Sequence, residues 1–314
     1  MNRKNLLTLS SVAITFVSIA VGVYGCSLAL IGEGPVVDLA ADIVFTRWEE
    51  GGSDILLKST LSADAPDLNL TMLPAARNTE PAWSPDKTLI AFVSDRDGNA
   101  EIYTMTRDGT NVVRLTDYTG TDISPSFSPD GSRIAFISYR SGRNRSVFTM
   151  RTDGSDVVQV TDNPGTDATP VWSPDSRSIL FTSNFETADH SSRLYIVGAD
   201  GSNQHRLTSD TVDEAEPDWH PGTSRIVYER SDAQGGSQIY SVNADGSGLV
   251  RLTDGLPEHE GWHATWSPDG TRIAFVSGRD GNPQLYVMTS EGTDVMRITQ
   301  TPDIDGQPCW GIND

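Results

Sequence analysis

Two histidines four residues apart, His259 and His263, frame the segment HEGWH and match the spacing found in zinc peptidases. In those enzymes both histidines lie on one face of a helix and bind the metal, while the glutamate between them acts as general base. Here the neighbouring residues include Gly255, Pro257 and Gly261, which do not sustain a helix. The next segment, WSPDGTRIAFVS, is typical of strand, turn and strand. We therefore expect the motif to be a chance match to the peptidase pattern.

The motif lies inside an internal repeat that covers most of the chain. An aromatic residue recurs every 44 to 47 residues, in segments such as EPAWSPDK and HATWSPDG. Its positions are Trp83, Phe127, Trp172, Trp219, Trp266 and Trp310. Runs such as LIAFVS, EIYTM and VVRLT follow and complete each unit. A period of this length predicts a repeat architecture.

Each unit contains four short runs of β-branched and aromatic residues bounded by Gly, Pro, Asp and Ser, which indicates four strands. The SPDG segment after the first run is typical of a type I turn. Pairs such as Asp108–Gly109 precede the fourth run and predict a two-residue hairpin with positive φ at both central residues. Because the second strands are apolar on both faces, each sheet must be covered on both sides. Radial stacking into an all-β propeller achieves this.

The number of blades follows from the two ends of the repeat region. The last unit contains only a first strand, QPCWGIND, whereas DIVFTRW, DILLKS and LNLTML near the start supply three further strands. We expect these segments to pair without a covalent link. Residues 41–314 are then predicted to form a six-bladed β-propeller of four-stranded antiparallel blades.

The frame P-x-W-S-P-D-G-x-x-I-A-F-x-S, followed by I-Y, D-G and R-L-T, resembles the Pro-Asp repeat of the TolB-like β-propeller family, a WD-like propeller repeat. The resemblance covers nearly all of residues 41–314 and implies the propeller fold. It also implies two kinds of role. The family includes non-catalytic envelope proteins that act through protein–protein contacts, and related propellers are gating domains of prolyl peptidases.

Polar side chains just before each first-strand aromatic are the candidates for a binding site. In a propeller, the loops that lead from a fourth strand into the next first strand open around the central channel. The residues expected to form a ligand-binding rim there are Asn78, Glu80, Asp122, Asp167, Glu214, Glu216, His259, His263 and Asp305. Such a rim could hold a divalent cation on oxygen ligands or receive a basic segment of a partner. The open alternative is that these side chains only form hydrogen bonds with the backbone of the loops or face water.

Residues 1–32 are expected to direct the chain to a membrane. Arg3 and Lys4 precede an uncharged apolar run from Leu6 to Gly32, which is long enough to span a bilayer. The positive-inside rule places the propeller on the extracytoplasmic side. The segment is either an uncleaved signal anchor or a bacterial lipoprotein signal with lipidation at Cys26 in VYGC, with ordinary cleavage as a third alternative. Residues 33–40 form a short linker.

The net charge of the chain limits the kinds of partner that it can bind. With 43 acidic and 23 basic residues the net charge is −20, which argues against nucleic-acid binding. We predict an exported, membrane-tethered, non-catalytic propeller that binds a protein, peptide or glycan ligand at its acidic channel face, with no cofactor unless the rim takes a divalent cation. The alternatives are a metal-dependent propeller hydrolase or lyase that uses the same rim, and a structural or sensory ectodomain of a cell-envelope complex.

Overall fold

The computed structural model describes the chain from the end of the linker to the last strand. The described residues are 42–59, 66–73, 75–142, 144–187, 189–209, 212–231, 236–254 and 261–311. Residues 1–32, with Cys26, lie outside this range, as does His259, so the predictions made for them are not tested by the structure. Within the described residues, no helix is long and apolar enough to cross a membrane.

The described residues form six four-stranded antiparallel sheets, which confirms the all-β, six-bladed propeller. The first strands, which form the channel wall, are β4 (Asn78–Trp83), β8 (Asp122–Phe127), β12 (Asp167–Trp172), β16 (Glu214–Trp219), β20 (Gly261–Trp266) and β24 (Ile304–Trp310). The second strands are β1 (Ile43–Glu49), β5 (Leu89–Ser94), β9 (Arg133–Ser138), β13 (Ser178–Ser183), β17 (Arg225–Ser231) and β21 (Arg272–Ser277).

The outer half of each blade consists of a third strand and a very short fourth strand. The third strands are β2 (Gly52–Lys58), β6 (Glu101–Thr106), β10 (Ser146–Arg151), β14 (Arg193–Gly198), β18 (Ser237–Asn243) and β22 (Gln284–Thr289). The fourth strands are β3 (Leu68–Asn69), β7 (Val113–Arg114), β11 (Val158–Gln159), β15 (His205–Arg206), β19 (Val250–Arg251) and β23 (Met296–Arg297). We number the blades in chain order, so that blade 1 contains β1 to β3 and blade 2 begins at β4.

Blade 1 joins the two ends of the propeller. Its sheet has the order β24–β1–β2–β3, with Ile43 opposite Trp310 and Arg47 opposite Asp305. The last strand of the chain therefore supplies the channel-side strand of the first blade, as expected from the sequence. Inside this joint the Arg47 guanidinium donates to both carboxylate oxygens of Asp305, at 2.7 and 2.9 Å.

The core lies between neighbouring sheets, and each second strand contributes to two such layers. In blade 2, Ile90 and Phe92 pack with Val44 and Ile55 of blade 1. Ala91, between them in sequence, packs instead with residues of blade 3. Because successive side chains of a strand point to opposite faces, an apolar run such as LIAFVS fills both layers. The run therefore requires a neighbour on each side.

The turn between the first and second strands forms as expected. In blade 3 the backbone N–H of Gly131 donates to the carbonyl of Ser128 at 2.8 Å, which closes the SPDG turn. The side chain of Asp130 accepts bonds from the Ser128 hydroxyl at 2.6 Å and from the backbone N–H of Ser132 at 3.0 Å. The Asp of this motif thus stabilises the turn.

The turn between the third and fourth strands differs from the sequence prediction. Gly109 has a positive φ of 81°, but Asp108 does not, so this is not the expected two-residue hairpin. The N–H of Gly109 donates to the carbonyl of Thr106, and the N–H of Thr106 to the carbonyl of Thr110. This is a three-residue loop that ends on a left-handed glycine. Asp108 accepts the N–H of Thr110 at 3.1 Å, which favours the right-handed conformation at Asp108.

Replacing Arg47 with methionine tests the joint in blade 1. The substitution leaves the fully buried carboxylate of Asp305 without its cation, and breaking a buried pair in this way costs about 3–5 kcal/mol. We expect urea denaturation of R47M to show a loss of that size in the free energy of unfolding. Arg151, which pairs with Asp156 across an exposed surface at 3.6 Å, is the control, and R151M should lose at most about 1 kcal/mol. Equal losses in the two variants would contradict the role given to the joint.

Candidate functional site

A bulge of one residue interrupts every first strand at the same place. In blade 2, Thr79 pairs with Val93 and Ala82 with Ala91, so β4 has one residue more than β5 between the two pairs. The first residue inside each bulge has a left-handed backbone with φ between 46° and 54°. These residues, which we call the bulge ring, are Glu80, Ser124, Thr169, Glu216, His263 and Gln307. Positive φ is uncommon for residues other than glycine, and its presence in all six blades marks a shared device.

The bulge ring and the residues two positions further along line the central channel. The second ring consists of Ala82, Ser126, Val171, Asp218, Thr265 and Cys309. Both rings face one cavity of about 320 Å³. Residues two apart in a strand ordinarily share a face, and positions 80 and 82 of β4 both contribute to the channel wall, whereas Asn78, on the other side of the bulge, is buried inside the blade. Neighbouring blades follow each other in chain order around the channel, so blade 2, with Glu80, lies opposite blade 5, with Glu216.

The charged members of the bulge ring interact with one another. The carboxylate of Glu216 lies 3.6 Å from Nε2 of His263. Glu80 accepts the backbone N–H of Ser124 at 2.6 Å. Burial raises the pKa of Glu80, and the charge of Glu216 raises it further. The channel therefore holds two carboxylates that are close enough to repel each other.

Glu229, on the second strand of blade 5, adds a third carboxylate behind the bulge ring. The Ser237 hydroxyl donates to it at 2.6 Å. Burial raises the pKa of Glu229, while Ser237 and the nearby His263 partly offset the effect. Burial alone would lower the pKa of His263, but the charges of Glu216, Glu229 and Glu80 raise it above its ordinary value. One imidazole therefore stands among three carboxylates.

The second ring contributes a carboxylate that the protein itself satisfies. Asp218 accepts the backbone N–H groups of Trp219 at 2.9 Å and Trp266 at 2.7 Å, and the hydroxyl of Thr265 at 2.9 Å. Burial raises its pKa, and these donors oppose the rise. Burial also raises the pKa of the Cys309 thiol to about 12. Since the thiolate is the reactive form, burial disfavours the reactive state of this cysteine.

The structure divides the expected rim into two groups of residues with different environments. Glu80, Glu216 and His263 line the channel, although they lie within the first strands and not in the loops before them. The other described members are almost completely buried inside the blades, at 0–1% exposure, and do not line the channel cavity: Asn78, Asp122, Asp167, Glu214 and Asp305. The expectation of one continuous acidic rim at both positions therefore needs correction.

Hydrogen bonds explain why the second group is buried. The Thr161 hydroxyl donates to Asp167 at 2.5 Å, and the N–H of Leu194 donates to Glu214 at 3.1 Å. Thr161 and Leu194 belong to the blade before each carboxylate, so these side chains connect adjacent blades. Asn78 makes the same kind of connection, donating to the carbonyl of Ser53 at 3.1 Å. Their pattern along the sequence reflects the spacing of the blades.

The arginines after the second strands, among them Arg96 and Arg140, have different partners. Arg140 forms an ion pair with the carboxylate of Asp122. Arg96 instead donates to Ser94 and Asn78, each at 2.9 Å. Its guanidinium stacks 5.2 Å from the ring of Phe92. None of these arginines lines the channel cavity, and among the residues the structure describes no Lys or Arg does so.

Two channel groups, Asp218 and Glu229, were not predicted from the sequence. The corresponding positions in other blades hold residues such as Ala82 and Val93, so the repeat itself gives no sign of a polar site. The signal that could have found them is the departure of blade 5 from the shared pattern. In the part of the chain that the structure describes, no three His, Cys, Asp or Glu side chains are arranged to hold a metal ion. The divalent cation at the rim stays a prediction.

Comparisons with known proteins agree with the propeller fold. Residues 115–187 match a family model described as the TolB beta propeller domain. The Tol-Pal system protein TolB of Geobacter sulfurreducens is 37% identical over 84 residues, which cover 27% of this chain and 18% of that protein. The uncharacterized peptidase YuxL of Bacillus subtilis is 31% identical over 105 residues, or 32% of this chain and 16% of the relative. This chain thus spans only a small part of the length of either relative.

A solved structure extends the likeness to the whole propeller. The crystal structure of TolB from Acinetobacter baumannii superimposes with a TM-score of 0.76 at 20% identity, covering 87% of this chain and 67% of that one. At that level of identity the likeness shows the fold. The sheets, the bulges and the channel define a six-bladed propeller whose central channel contains carboxylates. With the family match and the sequence relatives, they show that the chain is a TolB-like β-propeller.

Two serines of one strand test whether the bulge imposes its backbone conformation. Ser124 has a φ of 54°, whereas Ser126, two residues later in β8, is not in the left-handed region. The left-handed region costs a residue with a side chain about 1–2 kcal/mol, and glycine avoids that cost. We expect S124G to leave the free energy of unfolding unchanged or to raise it by up to about 1 kcal/mol. S126G should lower it by about 0.5–1 kcal/mol. Chemical denaturation of both variants measures the difference, and a larger loss in S124G would contradict the assignment.

Proposed function

We propose that this chain is an exported, membrane-tethered, non-catalytic propeller that binds a short segment of a protein partner in its channel. A single observation carries the proposal. The channel is lined by Glu80, Glu216 and Asp218, with Glu229 behind them, and among the described residues no Lys or Arg lines it. A wall of this composition favours a ligand that brings positive charge, such as a peptide containing lysine or arginine.

The size of the channel limits what can enter. Its cavity of about 320 Å³ is at the small end of the roughly 300–1,000 Å³ usual for ligand pockets. It therefore suits one or two side chains of an extended segment and excludes a folded domain. The partner's remaining contacts would be made on the propeller face around the channel mouth.

The scaffold favours binding because the side chains that line the channel are already held in position. The charged side chains stand on strands within hydrogen-bonded sheets, and the same bulge positions Glu80, Glu216 and His263. Groups held in their bound arrangement lose less conformational entropy when a ligand arrives. Burial raises the pKa of the Cys309 thiol to about 12, which disfavours its use as a nucleophile. These features support a binding role more than a catalytic one.

The extracytoplasmic location is part of the same proposal. It is supported by the apolar run from Leu6 to Gly32 after Arg3 and Lys4. The Tol-Pal system protein TolB, which shares the propeller, supports a protein partner for a chain of this kind. For this chain the identity of that partner is left to experiment.

The partner site is tested by removing charge without changing shape. We expect E80Q/E216Q to weaken the binding of basic peptides roughly ten- to hundredfold, since a hydrogen bond to a charged group is worth about 1.5–3 kcal/mol. The measurement is retention of the purified protein on an array of random dodecapeptides, followed by titration of the strongest binders. The peptides retained by the unaltered protein should be enriched in lysine and arginine.

The control for this experiment changes net charge equally, away from the channel. Asp108 and Asp153 are exposed turn residues, and D108N/D153N should keep the affinity of the unaltered protein. Equal weakening in both double variants would show only the effect of net charge. Full binding by E80Q/E216Q would place the partner site outside the channel.

The mode of membrane attachment is tested at Cys26. If residues 1–32 are an uncleaved anchor, C26S should stay in the membrane fraction at its original mass. If Cys26 is lipidated, C26S should lose both the lipid and the cleavage, so that the full signal segment is retained. Mass spectrometry of the membrane fraction distinguishes the two outcomes. Recovery of the unaltered chain in the soluble fraction, without residues 1–32, would contradict the tethering itself.

A further inference from the structure

His263 stands where blades 2 and 5 direct three carboxylates at one imidazole. Glu216 lies 3.6 Å from its Nε2 atom, and Glu229 and Glu80 act on it from β17 and β4. The Nδ1 atom is shielded from solvent and has no hydrogen-bond partner among the described residues. No second hydrogen bond fixes the protonation of the imidazole, so burial, which opposes the charge, and the surrounding carboxylates, which favour it, determine its state.

The other elements packed against β20 bring no compensating charge to this imidazole. On β24, the neighbouring bulge residue is the uncharged Gln307, and Asp305 is committed to Arg47. On β18, Ser237 donates its hydroxyl to Glu229.

The two arginines of β17 have contacts of their own, and Arg225 donates to the Glu291 carboxylate at 3.1 Å and to the Ser241 hydroxyl at 3.0 Å. The guanidinium of Arg230 on β17 lies 5.0 Å from the ring of Tyr240. On β21, Val276 is the residue opposite Trp262, next to His263 in β20. Arg272 is at the opposite end of that strand, paired with Thr289.

From this arrangement we propose that His263 is a proton-sensitive element of the channel, whose protonation at mildly acidic pH weakens the hold of the channel on a cationic partner. The inference rests on the proposed function and adds regulation to the same site. A neutral imidazole leaves the channel-lining carboxylates of Glu80 and Glu216, with Glu229 behind them, to attract a lysine or arginine. An imidazolium offsets one of their charges from inside the wall. It also pairs with the carboxylate of Glu216, which is then less available to the ligand.

The direction of the effect follows from linkage. A histidine whose pKa is raised on folding stabilises the folded state, and that contribution is complete below its ordinary value of 6.5. The contribution is lost as the pH rises through the folded-state pKa. Low pH therefore stabilises the wall while it weakens the partner complex. At higher pH the wall loses this internal pair and its carboxylates are free for a ligand.

The first arm of the test needs no ligand. Proton NMR titration of the imidazole Cε1–H signals follows all five histidines, and the signal missing from H263Q identifies His263. We expect its pKa to lie above 6.5 and to fall in E216Q, which keeps the shape of the side chain but not its charge. The stability gained over H263Q should also decrease between pH 6 and 8. A His263 pKa at or below the ordinary value, or one unchanged in E216Q, would overturn the inference.

The second arm measures binding of N-acetylated pentalysine amide, whose ammonium groups stay charged between pH 5.5 and 8. For the unaltered protein we expect the dissociation constant to rise roughly tenfold from pH 8 to pH 5.5, because one unit of charge is added next to the ligand. H263Q should change by less than about threefold over the same range. H205Q, which alters an exposed histidine on β15, should behave like the unaltered protein.

The outcomes separate this inference from the proposed function. Absence of pentalysine binding at every pH would contradict the proposed cation-binding channel. Binding that does not respond to pH would contradict the role of His263 alone. The same pH response in H263Q and in the unaltered protein would overturn the inference as well, since another group would then be the sensor.

Discussion

Every blade of this propeller depends on a neighbour, because its second strand is apolar on both faces. Ile90 and Phe92 bury themselves against blade 1, and Ala91 against blade 3, so no sheet can be removed without exposing two layers of core. The ring must therefore close, and it does so where β24 pairs with β1. The buried pair of Arg47 and Asp305 lies in that joint. A charge pair there cannot rival the apolar layers in energy, but its geometry admits one register of the two strands.

The closed ring leaves one place where side chains from all six blades meet, and the bulge decides which side chains those are. In a regular strand, side chains alternate between the two faces, so Asn78, Glu80 and Ala82 would share one face. Asn78, however, points into the blade. The bulge turns Glu80 to the channel and keeps Ala82 on the same wall. The left-handed backbone at Glu80 is the cost of this arrangement. Ser, Thr, Glu, His and Gln all accept that conformation here, so the surrounding sheet enforces it.

The blades, their order and the closure could be predicted from the sequence because they depend on features repeated many times. A single blade would be ambiguous, but aromatic residues at a steady period are not. The prediction was wrong where local geometry decides. At Asp108 a side chain that accepts the N–H of Thr110 selects a right-handed residue over the expected left-handed one. Composition does not reveal that choice.

Placement of the candidate site failed for a related reason. Carboxylates at Asp122 and Asp167 look like those at Glu80 and Glu216 in the sequence, and two residues along a strand would ordinarily share a face. The bulge follows shortly after Asp122 and Asp167 in their strands. The blade interior supplies hydrogen-bond partners for these carboxylates, such as the Thr161 hydroxyl for Asp167. One set therefore became structural and the other came to line the channel. The two sets differ in their position relative to the shift in the β-pairing register, and no residue type specifies that shift here.

Departures from the repeat carry more functional information than the repeat itself. A residue present in all six blades is explained by what all six blades need, such as turns, core and contact with the next blade. Blade 5 instead places Glu216, Asp218 and Glu229 at three positions that face or support one stretch of channel wall, where other blades have Thr169, Ala82 and Val93. Burying carboxylates lowers stability unless they are compensated, and of these three Asp218 alone is compensated by several hydrogen bonds, two of them from the next blade. With His263 of blade 6 at 3.6 Å from Glu216, these residues make one side of a six-fold scaffold chemically distinct from the other. On the proposal that a partner segment enters the channel, this asymmetry would give the segment a defined orientation.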